Sequence, residues 1–217
     1  MARIVFDLDG TLVDSAPDLH GIANRVLAER NLDPITLDEA RSFIGQGVAV
    51  FVRKLRAACG IPDEDHTAVL AQYLTLYEKA VTLTLLYPSV VETLLQLRAE
   101  GHALGLCTNK PLRPTMALLR HLGLEKHFIT IIAGDSLSVH KPDPGPLHAA
   151  FVMGGINGPS IYVGDSEVDA ETARRAGVPL LLFTEGYRTT PIADLPHHAA
   201  FSAFTALPGL VASFSEA

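Results

Sequence analysis

The sequence predicts an α/β protein built on a doubly wound parallel sheet, with a helical domain inserted behind its first strand. Three observations carry this. From Tyr87-Pro88 onward, short apolar runs alternate with segments of helical period, the pattern of a parallel sheet wrapped by helices. Near the N-terminus, Ile4-Val5-Phe6 is an apolar run of the length of one short buried strand. Between the two, the span from about Pro17 to about Val81 is almost purely helical in period. The first strand therefore belongs with the later set, and the helices are an insert rather than an N-terminal domain. This division assigns 1–16 and 84–217 to the α/β core and 17–83 to the helical insert.

Each element has its own signals. Pro17 suits the first turn of a helix, and Leu19, Ile22, Ala23, Val26 and Leu27 follow at helical spacing. Asn31-Leu32-Asp33-Pro34 ends that helix. Thr36-Leu37-Asp38-Glu39 is a capping box that opens a second, which Gly45-Gln46-Gly47 interrupts. A third runs from Val48 to Ala58 and stops at Gly60 and Pro62. Asp63 is placed to cap a fourth, carrying Val69, Leu70, Tyr73, Leu74 and Tyr77. In the later set, a helix from Pro88 to Glu100 stops at Gly101, and Ala103 to Leu106 is a buried strand. A helix over Thr115–His121, a strand over Phe128–Ile132 and a helix over Pro144–Val152 come next. Ile161–Val163 is a strand, Glu167–Arg175 a helix with Gly177 after it, and Leu180–Phe183 a strand. The chain has no internal repeat and no low-complexity segment.

Composition narrows the function classes. The chain has 217 residues, 48% of them apolar, enough for a full core. A net charge of −7 and a pI near 5.7 argue against a nucleic-acid surface. Cys59 and Cys107 are the only cysteines, so no disulfide framework is expected and a reduced compartment fits. No basic-then-apolar leader pattern and no membrane-length apolar run occurs, which predicts a soluble cytoplasmic protein.

The polar residues gather where the strands end. Asp7-Leu8-Asp9-Gly10-Thr11 follows the first strand. Residues two apart in an extended chain project to one side, so Asp7 and Asp9 can face one pocket. That pocket would lie past the strand's carboxyl end, where open α/β sheets bind ligands. Two close carboxylates repel unless compensated, and a divalent cation such as Mg²⁺ favours such oxygen ligands. Gly10 permits a sharp turn, and Thr11 can hold a carboxylate in position. A calcium loop is excluded, because its third acidic position would be Thr11 and its turn glycine Leu12. After Ala103–Leu106 come Cys107, Thr108, Asn109 and Lys110, whose hydroxyl and amide suit phosphate oxygens. After Phe128–Ile132 comes His140-Lys141-Pro142-Asp143-Pro144, where the prolines stiffen the loop around Lys141. After Ile161–Val163 comes Gly164-Asp165-Ser166-Glu167-Val168-Asp169, with Asp165 and Asp169 four apart on one face of an opening helical turn. Each cluster alone has a bland reading as a capped turn, a solvated lysine or an ordinary loop. Together they bring three carboxylates, a hydroxyl and a lysine to one spot, the makings of a metal-assisted phosphoryl site.

This set resembles the haloacid dehalogenase superfamily. Asp7, Asp9 and Thr11 match its first motif, Thr108 its second, Lys141 its third, and Gly164, Asp165, Ser166 and Asp169 its fourth. All four occur in order, and the helical insert is similar to the family's cap on a Rossmann-like core. Within the superfamily the chain most resembles the phosphoglycolate phosphatases, through Asp-Gly-Thr-Leu-Val-Asp-Ser-Ala-Pro-Asp and the Gly-Gln-Gly of the insert. The resemblance implies hydrolysis of a phosphomonoester through an aspartyl-phosphate on Asp7, with Asp9 as general acid and base. It implies Mg²⁺ held by Asp7, Asp9 through its carbonyl oxygen, and Asp165, supported by Asp169. Lys141 would offset negative charge, and Thr108 and Asn109 would position the phosphoryl oxygens. From the insert, Gly45, Gln46 and Gly47 at a helix start, with Arg53 beyond, are expected to meet a substrate carboxylate. The partner implied is a small phosphorylated metabolite, with no nucleic acid or membrane, acted on by a monomer or homodimer.

Rivals remain. Cys107 to Arg113 fits Cys-x5-Arg, the pattern of cysteine-dependent phosphatases, but Leu106 precedes it, the loop has no glycine, and Pro111 removes an amide donor. Asp9 argues against a dehalogenase, whose halide leaves unprotonated, and against a related phosphonate hydrolase with alanine at that place. A β-phosphoglucomutase-like mutase keeps all four motifs. A non-catalytic phosphate-binding module would bind without turnover.

Overall fold

Ile4, Val5 and Phe6 are all fully buried, which a strand achieves only inside a sheet covered on both faces. The computed structural model of the chain, which describes residues 1–152 and 158–214, places them in β1 (Arg3–Phe6). The parts of the predicted 84–217 core at 153–157 and 215–217 lie outside the described residues. The chain then runs through β2 (Val13–Asp14), α1 (Ala16–Ala28), α2 (Leu37–Phe43), α3 (Val48–Ala58) and α4 (His66–Tyr77). It returns by β3 (Leu85–Leu86), which pairs antiparallel with β2, so the outgoing and returning segments are tied side by side. Asp18 strengthens the tie by accepting from the Leu83 and Thr84 amides and the Thr84 hydroxyl.

After α5 (Val90–Ala99), β4 (Ala103–Cys107), α6 (Leu112–His121), β5 (Thr130–Ile132), α7 (Gly145–Ala150), β6 (Ser160–Gly164), α8 (Glu167–Ala176) and β7 (Leu180–Phe183), the chain closes with β8 (Ala199–Phe201) and α9 (Leu207–Ser213). The sheet of the described residues is six-stranded and parallel, in the order β5-β4-β1-β6-β7-β8. Side chains alternate between its faces. Ile4, Phe6, Leu104, Leu106 and Val163 pack with Leu94, Leu97, Leu118 and Leu207 from α5, α6 and α9. Val5, Ala103, Tyr162 and Leu182 pack with Leu147, Ala150, Ala170 and Ala173 from α7 and α8. This is the predicted doubly wound α/β architecture.

The order reverses beside β1: β4 and β5 lie to one side, β6 to β8 to the other. Phe6 pairs with both Leu106 and Val163, so the residues following all three strands emerge level at one edge. A switch point of this kind leaves a crevice past the carboxyl ends.

Helices α1 to α4 bury a separate core, including Leu19, Val26, Phe51, Leu55, Val69 and Tyr73. Its aromatic rings run in contact from Phe43 to Phe51 to Tyr73 to Tyr77, with centroids 5.7, 5.2 and 5.8 Å apart. No helix of the described residues is long and apolar enough to cross a membrane.

Several local expectations differ from the structure. α6 starts at Leu112 rather than Thr115, because Pro114 falls in its first turn, where a missing amide breaks no helical bond. Asp63 does not cap α4: its carboxylate takes the Arg56 guanidinium at 2.7 Å, and a 3₁₀ turn precedes the helix. β5 begins at Thr130, since Phe128 turns into the core instead of pairing. Strand β8, helix α9 and the β2–β3 pair were not predicted.

Candidate active site

The site is assembled where β1, β4 and β6 end. Asp7 follows β1 directly, its amide donating to Val163 O at 2.9 Å. Asp165 follows β6. The backbone turns away at Gly10 with φ +87°, and a Cβ there would lie 2.4 Å from Asp165 Oδ2. At Gly186 on the other side it would lie 2.2 Å away. Both glycines let backbone close on this carboxylate. Thr11 Oγ1 donates to Asp165 Oδ1 at 2.7 Å, and the Tyr187 amide donates to Oδ2 at 2.7 Å.

Asp169 combines a capping role with a place in the site. Ser166 caps α8, and Asp169, at the third helical position, closes a capping box with it. Asp165 therefore precedes the helix and does not share a helical face with Asp169; the Asp169 side chain reaches back over the first turn. Its Oδ2 accepts from the Ser166 hydroxyl at 2.7 Å, and its Oδ1 accepts from Tyr162 OH at 2.6 Å and Lys141 Nζ at 2.7 Å. Asp7, Asp165 and Asp169 each bring a carboxylate oxygen within 4.8 Å of the others'.

Lys141 is the counter-charge. Its ammonium contacts Asp169 Oδ1, Tyr162 OH at 2.8 Å and Asp7 Oδ1 at 2.9 Å. The Asp7 contact is a close ion pair whose angle does not make a regular hydrogen bond, so Asp7 Oδ1 is a buried oxygen with no directed donor. One ammonium, paired with Asp7 and Asp169, cannot balance the three buried carboxylates gathered here. Burial, opposed by Lys141, pushes the Asp7 carboxyl up to about 7. Burial and the Asp169 charge push Asp165 well above the carboxylate range. Burial acts the same way on Asp169, but Lys141 and its hydrogen bonds outweigh it and hold that carboxyl low. The same carboxylates keep Lys141 protonated against its burial. Asp7 Oδ1, without a directed donor, and Asp165, held by two neutral donors and no ion pair among the described residues, lie beside an Asp169 already saturated with donors; this is a donor set a hard cation fits.

A cavity of about 40 Å³ lies over Asp7 and Asp9, floored by Thr108, Asn109 and Lys110 and walled by Leu19, Ile44, Val48, Phe51, Tyr73 and Tyr77 from the insert. Thr108 Oγ1 accepts from the Lys110 amide at 3.2 Å, and its hydroxyl hydrogen has no acceptor among the described residues. The Asn109 side chain is committed to protein: it accepts from Lys141 N and donates to Lys141 O and Gly45 O, each at 3.0 Å. It therefore positions the Lys141 loop and the insert against each other. Gly45 and Gly47 border the cavity, and α3 starts just beyond. Gln46 lines a second cavity on the far side of Asp9, together with Lys54, Asp165 and Glu167. Arg53 is exposed and lines neither cavity. Arg56 is buried and paired with Asp63, a structural residue.

Cys107 packs in the sheet, and burial pushes its thiol up to about 12. Arg113 points away to Glu78 at 3.2 Å. A thiolate with a phosphate-binding arginine is not present here.

Three functional groups escaped the sequence reading. Lys110 is buried, with Nζ 3.1 Å from Asp9 Oδ1 and 2.8 Å from Tyr77 OH. It stands in the polar cluster after β4, but a loop residue's direction is not encoded in period. Tyr162 could have been found, because a hydroxyl inside an apolar strand must meet a partner. Tyr187 reaches Asp165 through its backbone, which leaves no sequence signal.

Known proteins bear out the resemblance. A family model described as haloacid dehalogenase-like hydrolase matches residues 4–183. The phosphoglycolate phosphatase of Cereibacter sphaeroides is 48% identical over 215 residues, 97% of this chain and 98% of that one. That of Rhodobacter capsulatus is 44% identical over 211 residues, 96% and 95% of the two chains. A crystal structure described as a predicted phosphoglycolate phosphatase from Haemophilus somnus has a TM-score of 0.88 at 30% identity, covering 96% of this chain and 97% of that one.

Proposed function

The chain belongs to the haloacid dehalogenase-like hydrolases and is a phosphoric monoester hydrolase, and on that premise we propose that it forms an aspartyl-phosphate on Asp7 and takes 2-phosphoglycolate as substrate. The observation that carries this reading is the placement of Asp7 and Asp9 at one cavity, with Lys141 behind the first and Lys110 beside the second.

An Asp7 oxygen attacks phosphorus as the bond to the leaving oxygen breaks, and Asp9 gives that oxygen a proton. Water then attacks the aspartyl-phosphate, Asp9 takes up its proton, and phosphate leaves with the Asp7 carboxylate restored. The Thr108 hydroxyl is placed to donate to a phosphoryl oxygen. Lys141 draws charge from Asp7 while Asp169 and Tyr162 fix the ammonium. Mg²⁺ would be held by Asp7, Asp165 and the Asp9 carbonyl, with Asp169 in support, and would supply charge for the phosphoryl group. The helical insert acts as the cap that excludes bulk water. The two named relatives support phosphoglycolate as substrate. The net charge and free cysteines fit a cytoplasmic enzyme, monomeric or homodimeric, that acts on a small metabolite without nucleic acid or membrane.

The test is phosphate release from a panel of esters with and without Mg²⁺. The reading expects activity only with the ion, removed by EDTA, and highest kcat/KM for 2-phosphoglycolate. Metal-independent turnover, or a sugar phosphate as the best ester, would refute it.

A further inference from the structure

Lys110 is the one cation among the described residues that line the cavity over Asp7 and Asp9. Lys141 is close in space, but its ammonium is already shared among Asp169, Tyr162 and Asp7. Lys110 is different. An ammonium has three hydrogens. One is directed at the Asp9 carboxylate, 3.1 and 3.4 Å from its oxygens, and one at Tyr77 OH at 2.8 Å. The third has no acceptor among the described residues. The Tyr77 ring also lies under the ammonium, 4.5 Å from Nζ to the centroid. Burial and the Asp9 charge keep the Tyr77 phenol protonated, so its oxygen stays a neutral acceptor that holds Lys110 without neutralising it.

We propose that Lys110 is the receptor for a carboxylate on the leaving group, so that the enzyme selects esters bearing an anion one carbon from the scissile oxygen. This deepens the hydrolase reading above and rests on it. The leaving oxygen must sit within hydrogen-bond reach of Asp9 to take its proton. A carboxylate one methylene away lies about 3–4 Å further on. Lys110 touches Asp9 itself, so its free hydrogen meets a group at that distance. The remaining wall disfavours the rival class. Leu19, Ile44, Val48 and Phe51 offer no side-chain donors, and the Tyr73 hydroxyl already donates to Leu19 O at 3.2 Å. A polyol hydroxyl buried against these four side chains would be left unpaired.

The experiment compares kcat/KM for 2-phosphoglycolate and ethyl phosphate in the wild-type enzyme, Lys110→Met, Tyr77→Phe and Lys54→Met. Wild type should prefer phosphoglycolate. Lys110→Met should lose about 10- to 100-fold on phosphoglycolate, chiefly through KM, and much less on ethyl phosphate. Tyr77→Phe should narrow the preference in the same direction by less, and it serves as the probe if Lys110→Met does not fold. Lys54→Met, on the second cavity, should keep the preference. Equal losses on both esters, seen in kcat, would show that Lys110 acts through Asp9 instead and would overturn the proposal. So would an unchanged preference in the Lys110 and Tyr77 variants, or its collapse in Lys54→Met. A wild-type enzyme without preference would refute the substrate reading itself. Preference that survives Lys110→Met would refute the receptor alone.

Discussion

At the cavity over Asp7 and Asp9 the α/β core and the helical insert contribute opposite kinds of surface. From the core come Asp7, Asp9, Thr108, Lys110 and Lys141, nearly all buried and each held by named partners. From the insert come an apolar wall, the phenols of Tyr73 and Tyr77 and the backbone of Gly45 and Gly47. Reaction chemistry needs charged groups fixed to within fractions of an ångström, and strand ends supply that. Substrate choice needs shape and the exclusion of water, and a separately packed helical layer can supply those without disturbing the charges. The contrast teaches that charge comes from one side of the cavity and shape from the other, and that Lys110 and Tyr77 join the two.

Breaking the core should therefore abolish chemistry, and the largest effect is expected at Asp7, the proposed nucleophile. Asp7→Asn keeps the shape and removes the attacking oxygen's charge. Turnover should fall by about 10⁴-fold or more with an unchanged circular dichroism spectrum; near-normal phosphate release would sink the mechanism. Asp9→Asn comes next. Alkyl phosphates should lose about 10²–10⁴-fold, and p-nitrophenyl phosphate less, because its phenolate leaves without a proton. Equal losses on both esters would remove the acid role.

A smaller effect concerns stability rather than rate. Asp7 has its carboxyl raised from 3.8 to about 7 by burial. A raised carboxyl takes up a proton on folding, so its favourable contribution is present in full below its unfolded value and is lost as pH rises through the folded one. In metal-free protein the Tm should fall between about pH 4 and pH 7 relative to Asp7→Asn, and Mg²⁺ should restore it in wild type. A Tm difference that is flat over this window, measured in EDTA by calorimetry, would contradict the charge imbalance described for the site. The smallest effect is expected from the insert's outer face. Arg53→Ala should change kcat/KM for 2-phosphoglycolate by less than about twofold, since surface substitutions of this kind rarely matter. A large loss would move the substrate to a part of the insert that borders no cavity here.

What the sequence disclosed follows the same division. Asp7, Thr108, Lys141 and Asp165 were legible because each follows an apolar run, and a parallel sheet brings such ends together whatever the loops do. The helix Val48–Ala58 was legible to the residue, since glycines bound it and its apolar period is regular. Contacts made by side chains across loops were not. Lys110 and Arg53 are both lysine or arginine on a plausible face, yet one is buried against Asp9 and the other is exposed. Only the packing of Tyr77 over Lys110 decides between them. β8 and α9 were missed for local reasons: three residues are too few to show a period, and Pro208-Gly209 reads as a breaker although proline is tolerated in a first turn.

The central position of β1 governs how the molecule is made as well as how it works. Arg3 pairs with Ala103 on one side and Ser160 on the other. As the polypeptide leaves the ribosome, the strand that carries Asp7 has no neighbour until α1 to α4 have been synthesised. The insert can collapse on its own aromatic core during that interval, while β1 waits as an unpaired apolar segment. Non-local pairing of this kind closes loops late and slowly, and it leaves a sticky edge open meanwhile. The Asp7, Asp165 and Asp169 cluster thus forms late, once β6 has docked beside β1 and the Tyr187 amide has closed on Asp165. A nascent chain that has not reached Gly164 can hold a folded insert and still possess no site at all.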